Sequence, residues 1–197
     1  MVIRKEFRVE SSHIVRNASS FMCSHSTHGH SAVIEVMLEG SKLDNAGMLY
    51  DFGLMKSTIK QFINGSDHCH LIWSKDTNEY KEFFKKMNDR WIELPFNPSA
   101  ENLSMYYMRG IQNIIDHTIM MNGEDPDLKV KGVRYHETVT GWAECSREDI
   151  DNLWQPEWDD KITYSDGVLR DWSNDLKDVI FNNKKIENPI IKLQVEI

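Results

Sequence analysis

His28-Gly29-His30-Ser31-Ala32-Val33-Ile34-Glu35-Val36-Met37-Leu38-Glu39 is the stretch on which the reading of this chain turns. From Ser31 to Glu39, Ala32, Ile34, Val36 and Leu38 recur at every second position, the pattern of a strand with one buried face. His28 and His30 share that parity, so both imidazoles point to the same interior. Just upstream, Cys23-Ser24-His25-Ser26-Thr27 completes the densest chemical signal in the chain. Further upstream, Val2 to Glu10 puts Ile3, Phe7 and Val9 on one face and Arg4, Glu6, Arg8 and Glu10 on the other, with Lys5 the exception. It reads as a first strand. A long Ser/Asn-rich loop is expected from Ser11 to Thr27. If the first strand reaches His13, that residue is in phase with Val9, and two adjacent strands aim His13, His28 and His30 into one interior. Three neutral imidazoles with an open fourth position form a catalytic zinc site. The competing reading, surface or capping histidines in a Ser-rich loop, is weakened by Gly29 and by the matching parity of His13. His25 is a rival ligand, ranked below His13 because the loop would have to fold back to use it.

Outward from this centre, Asp44-Asn45-Ala46-Gly47 is a turn and Met48 to Asp51 a short extended piece. Leu54 to Ile63 has helical spacing, closed by Asn64-Gly65. Thr77 to Trp91 reads as a charged helix. Ser99 is the N-cap of a helix reaching about Met121, with Leu103, Tyr107, Ile111 and Ile114 as its apolar stripe. Leu128 to Glu137 and Gly141 to Cys145 read as a hairpin. Glu148 to Asp160 is acidic and carries Trp154 and Trp158, Asp166 to Ile180 recovers helical spacing, and Ile191 to Ile197 alternates as a terminal strand. The composition shift near Arg147 divides the chain into a core, residues 1–146, and a C-terminal extension, residues 147–197. The tryptophans of the extension are expected to dock it onto the core, and its last strand to pair within the chain or with a neighbouring subunit. The fold class is α+β.

Composition narrows the function. A net charge of -8 over 197 residues argues against a general nucleic-acid partner, which needs a basic footprint. No run of about 18 apolar residues exists to cross a membrane. The segment from Met1 to Glu6 lacks the apolar stretch of a secretory signal, so a cytoplasmic location is expected. The three cysteines, Cys23, Cys69 and Cys145, are too scattered for a disulfide framework and are expected to be free thiols.

Taken in order, His13, Cys23, His28-Gly29-His30, Gly47-Met48-Leu49-Tyr50-Asp51-Phe52, Asp67-His68, Pro98-Ser99-Ala100-Glu101-Asn102 and Tyr135-His136-Glu137-Thr138 resemble one enzyme family. It is that of the 6-pyruvoyl- and 6-carboxytetrahydropterin synthases, and the resemblance covers roughly Ile3 to Cys145. It implies the tunnelling fold, an antiparallel sheet with helices packed on one face that closes into a barrel between subunits. It implies a homo-oligomer, usually a hexamer built as a dimer of trimers, with active sites between subunits. It implies zinc (Zn2+) on His13, His28 and His30, a catalytic thiol at Cys23, an acid/base pair at Asp67 and His68, and a pterin-anchoring carboxylate at Glu137. The substrate it implies is 7,8-dihydroneopterin triphosphate. The chain departs from the family in carrying an extension after Arg147. It also has four residues between Cys23 and His28, a spacing between those of the carboxy type and the animal pyruvoyl type.

The chemistry suits these residue types. Zinc acidifies the hydroxyls of the substrate side chain, and a thiolate can then take a proton from carbon. Glu137 shares parity with Val133 and Tyr135, so its carboxylate projects among apolar neighbours and needs a partner. The guanidine-like edge of a pterin offers two parallel N–H donors. Cys69 and His70 could compete with Asp67-His68 for a proton or a metal, and Arg16, Lys42, Lys129 and Arg134 are possible triphosphate contacts. The leading reading is a 6-carboxytetrahydropterin synthase of queuosine-type deazapurine biosynthesis, with the 6-pyruvoyl enzyme as alternative. Readings of other classes are a zinc hydrolase, for which Cys23 is dispensable, and a non-catalytic zinc or pterin binder.

Overall fold

The alternating segments at the N-terminus pair with each other and form the centre of the molecule. The computed structural model describes residues 1–188, so the expected terminal strand Ile191–Ile197 lies outside the described residues. Strand β1 (Val2–His13), helix α1 (Phe21–His25) and strand β2 (His28–Glu39) come first. β1 and β2 pair antiparallel from Val2↔Glu39 to His13↔His28. Both strands are longer than their apolar alternation indicates, and the loop between them holds a short helix, since Ser11 to His13 and His28 to Ser31 complete each other's ladder.

Next come α2 (Thr58–Asn64), β3 (Cys69–Trp73), α3 (Asn78–Met87), β4 (Trp91–Leu94) and α4 (Ala100–Asp116). The expected helix over Leu54–Ile63 is broken at Ser57: a 3-10 turn, Leu54–Lys56, precedes α2. Its apolar stripe nevertheless holds, because Met55, Ile59, Phe62 and Ile63 are all buried. α3 ends at Met87, not Trp91, which instead begins β4. Ser99 caps α4 as expected, its side chain accepting from the Asn102 N–H. The helix stops at Asp116 because Thr118–Ile119 forms β5, paired with β9 (Ile186–Glu187). Before β9 lie the hairpin β6 (Lys129–His136) and β7 (Trp142–Ser146), helix α5 (Arg147–Leu153), strand β8 (Thr163–Tyr164), and helices α6 (Asp166–Arg170) and α7 (Asn174–Asn182).

The main sheet has seven strands in the order β7-β6-β2-β1-β3-β4-β8. The expected antiparallel sheet is antiparallel in most of its pairs, and β1 with β3 and β3 with β4 are parallel. β3 is a run of five residues, the first four buried, too short and too uniform for periodicity to reveal. One sheet face buries Phe7, Val9, Ala32, Ile34, Val36, Leu38, Val133 and Tyr135 against Leu103, Tyr107, Met108, Ile111 and Ile114 of α4. Trp154, Val168, Trp172, Leu176 and Val179, from beyond Arg147, join the same core.

The other face is polar. Glu35 is buried there between Arg4 (2.5 Å) and Arg134 (3.1 Å), which also meets Glu144. A buried carboxylate is tolerable only when paired in this way. The expectation that all helices share one face is also corrected, because α3 covers the polar side at β3 and β4. Its Phe84 stacks on His70 at 4.0 Å, and its Lys81 and Lys85 meet Glu93.

α4 and α2 approach closely at Gly110, where a Cβ would fall 2.1 Å from the ring of the buried Phe62. Gly110→Ala is expected to destabilise by about 1–3 kcal/mol through overpacking. The same substitution in a Phe62→Leu background is expected to cost less. A double-mutant cycle of thermal melts with no coupling between the two sites would refute this contact.

Candidate active site

The β1–β2 register brings the three histidines together. His13 faces His28 directly across the ladder, and His30 lies opposite Ser11, one in-phase position along. Ring centroids are 4.6 Å apart for His13 and His28, and 5.1 Å for each pair with His30. One nitrogen from each ring lies within 4.8 Å of the others. The tautomers follow from the hydrogen bonds, since a backbone carbonyl can only accept. His13 Nδ1–H donates to the Pro98 carbonyl (2.8 Å) and His28 Nδ1–H to the Ser26 carbonyl (3.0 Å), so both Nε2 lone pairs are free.

The Nε2 atoms of His13 and His30 are buried and have no hydrogen-bond partner. Buried polar atoms are rarely left unpaired, and a divalent metal ion on these three nitrogens would satisfy them. Burial, reinforced by the charges of His28 and His30, pushes His13 down to about 4. Burial likewise lowers His30, against the opposing pull of Glu137. His13 is therefore neutral at neutral pH, the form that binds a metal.

Glu137 follows β6 directly and keeps the inward parity of Tyr135. Its Oε1 is 3.6 Å from His13 Nε2 and 3.7 Å from His30 Nε2, which places a half-buried carboxylate at the mouth of the cluster. Cys23 lies on α1 in the loop closed by His13 and His28, and is the cysteine with partial exposure. Cys69 and Cys145 are buried, and burial pushes both thiols up to about 12.

Asp67 and His68 form a pair, with His68 Nδ1 3.1 Å from Asp67 Oδ2. The pair hangs on the backbone of Glu10: Glu10 N–H donates to Asp67 Oδ1 and His68 N–H to the Glu10 carbonyl. His68 has φ +51° and a side chain 77% exposed. Among the described residues, no hydrogen bond or ion pair joins Asp67 or His68 to Cys23 or to the three histidines.

The rivals fall away. His25 turns aside to Ser24 Oγ and stacks on Phe21. His70 lies on the reverse sheet face with both nitrogens engaged, by Ser12 Oγ (2.8 Å) and the Tyr80 hydroxyl (2.7 Å), and burial lowers it to about 4. Of the cations considered for a phosphate, Arg16 meets Asp76, Lys129 meets Glu39, and Arg134 lies on the reverse face with Glu35. The carbonyls of Pro98 and Ser26, which orient two of the histidines, escape sequence reasoning because every residue carries a carbonyl.

Comparison with known proteins places this arrangement. The sequence model of the family described as 6-pyruvoyl tetrahydropterin synthase matches residues 2–148. The chain is 36% identical over 177 residues to the 6-carboxy-5,6,7,8-tetrahydropterin synthase of Helicobacter pylori strain J99, covering 87% of this chain and 86% of the relative. That share exceeds the family match, so the likeness takes in part of the segment after Arg147. The protein of the same name from Rickettsia typhi is 32% identical over 118 residues, covering 59% of this chain and 80% of its own. Among solved structures, an uncharacterised protein from Wolinella succinogenes superposes with a TM-score of 0.60 at 20% identity, covering 75% of this chain and 98% of that one. The 6-pyruvoyl tetrahydropterin synthase of Caenorhabditis elegans gives 0.51 at 20% identity, with coverage of 74% and 94%. These last two likenesses speak for the fold alone. The family match across three quarters of the sequence, on the scaffold that gathers His13, His28, His30 and Glu137, shows that this chain belongs to the 6-pyruvoyl tetrahydropterin synthase family.

Proposed function

We propose that the chain is a zinc-dependent lyase, a 6-carboxy-5,6,7,8-tetrahydropterin synthase acting on 7,8-dihydroneopterin triphosphate. The observation that carries this reading is the cluster of three imidazoles with two buried, partnerless Nε2 atoms and a carboxylate at its mouth. The name shared by the Helicobacter pylori and Rickettsia typhi relatives supports the carboxy product. A place in queuosine-type deazapurine biosynthesis belongs to the same proposal. Among the described residues, no helix is long and apolar enough to cross a membrane. A cytoplasmic enzyme remains the proposal.

His13, His28 and His30 would hold the zinc ion, which when bound supplies the Lewis acidity that makes the hydroxyls of the substrate side chain acidic. Glu137 accepts two N–H bonds from the guanidine-like edge of the pterin and so fixes the ring relative to the cluster. Cys23, as thiolate, takes the proton from the side-chain carbon, and His68, oriented by Asp67, returns a proton. The reading includes a homo-oligomer, a hexamer as a dimer of trimers with active sites between subunits, as the family resemblance implies. The core 1–146 carries every residue in these roles, with 147–197 an extension whose described part, to Asn188, packs on it.

The test is mass spectrometry of products from zinc-loaded protein and dihydroneopterin triphosphate. A 6-carboxy product with acetaldehyde is expected, and Cys23→Ala should lose at least ~100-fold in rate while keeping zinc. A 6-pyruvoyl product would replace the carboxy assignment, and no turnover with zinc still bound would leave a zinc- or pterin-binding protein. His28→Ala should lose the metal, read by elemental analysis. Iodoacetamide on the native protein at pH 8 should label Cys23 and spare Cys69 and Cys145, whose raised thiols stay protonated there. Equal labelling of all three would contradict the assignment of Cys23 as the accessible thiol.

A further inference from the structure

The segment from Ile14 to Thr27 leaves β1 at His13, carries Cys23, and returns to β2 at His28. Its two arms are joined where Val15 N–H donates to the Cys23 carbonyl (3.0 Å). Ser24 Oγ adds a bond to the Ser20 carbonyl within the segment (2.8 Å), and one side chain, that of Arg16, ties the segment to α3 and its approach. Arg16 Nη1 donates to the carbonyl of Ser24, the residue after Cys23 (3.2 Å). Arg16 Nε donates to Asp76 Oδ1 (2.6 Å), and the Asp76 side chain is 5% exposed. The guanidinium also lies over the Tyr80 ring at 5.1 Å.

The backbone of Arg16 is gripped on both sides by one amide. Asn97 Oδ1 accepts from Arg16 N–H (3.1 Å), and Asn97 Nδ2 donates to the Arg16 carbonyl (2.5 Å). Asn97 precedes Pro98, whose carbonyl orients His13. Tyr80 in turn is tied through His70 to Ser12, one residue before His13. The anchors of Arg16 and of His13 are therefore the same rigid segments.

We infer that Arg16 is the positioning residue for Cys23: its guanidinium, locked by Asp76 and Tyr80, sets where the thiol stands relative to the three histidines. Its charge is spent on Asp76, so it is not a triphosphate contact. A planar fork is needed for this role, because one nitrogen holds Asp76 while another reaches Ser24. A lysine can keep the charge beside the buried Asp76 but cannot make both bonds. The inference rests on the proposed role of Cys23 as the base, since only then does misplacing the thiol cost turnover.

The test uses zinc-loaded full-length protein and two variants, Arg16→Ala and Arg16→Lys. The first readout is the rate of Cys23 alkylation by iodoacetamide, which requires no turnover. It should change by about tenfold in both variants, with zinc content unchanged, because loss of a charge-assisted bond shifts a local equilibrium by that order. The second readout is the kinetic split: kcat should fall by ~10- to 100-fold, the cost of about 1 Å of misplacement, with KM within about twofold of wild type. An unchanged alkylation rate in folded Arg16→Lys overturns the inference, and this variant decides the matter if Arg16→Ala fails to fold. A raised KM with unchanged kcat overturns it too, and makes Arg16 a substrate contact. Wild-type protein without synthase activity would defeat the proposed function, while the alkylation rates would still decide whether Arg16 holds the Cys23 segment.

Discussion

The antiparallel register of β1 on β2 is the constraint from which the rest of the molecule follows. It sets Phe7 against Ile34 and Val9 against Ala32 in the core, and in the same phase sets His13 against His28. A slip of one residue would turn every one of these side chains to the other sheet face. Burying each large aliphatic or aromatic side chain contributes about 1.5–3 kcal/mol. The register, and with it the approach of the three imidazoles, is thus held by apolar burial several residues away from the histidines. No favourable interaction among the imidazoles themselves is needed. Their mutual repulsion and desolvation lower His13, which keeps it neutral and ready for a metal.

The two faces of the sheet carry different work. The face under α4 is dry and ends at the histidines, while the reverse face is a lattice of paired charges around Glu35, closed at one end by α3. His13 and His70 lie on adjacent strands, β1 and β3, yet they differ in kind. His70 has both nitrogens satisfied on the reverse side, whereas His13 has one nitrogen held and one left free. That contrast, more than burial, separates a histidine spent on structure from one with a nitrogen available to a metal.

The segment beyond Arg147 is integral to this scaffold. β8 extends the sheet at β4, and Trp172 packs between Phe62 and Tyr164. Trp154 and Trp158 close over Phe96, two residues before the Pro98 whose carbonyl orients His13. The described residues beyond Arg147 thus pack against the loop that bears on the candidate site, and none of them is among its chemical groups.

Periodicity alone was enough to place β1, β2, α4 and the β6–β7 hairpin, to pair the parity of His13 with that of His28 and His30, and to turn Glu137 inward. Each of these rests on repeating side-chain contrast along a single segment, which a sequence displays directly. It was blind to β3, whose first four residues are buried on both sides and show no contrast, and to the break at Ser57, where the apolar stripe runs on through a change of helix type. It extended α3 through Trp91 because a strand of four residues is too short to announce itself. It offered His25, His70 and Cys69 as rivals because residue type says nothing of which nitrogen is already occupied or which thiol is buried. The hold of Asn97, Asp76 and Tyr80 on Arg16 likewise joins residues 60 to 81 positions apart. Only folding brings such residues within hydrogen-bond range, so only the tertiary structure decides which of the chain's many polar groups are spent on holding it together and which are left free to act.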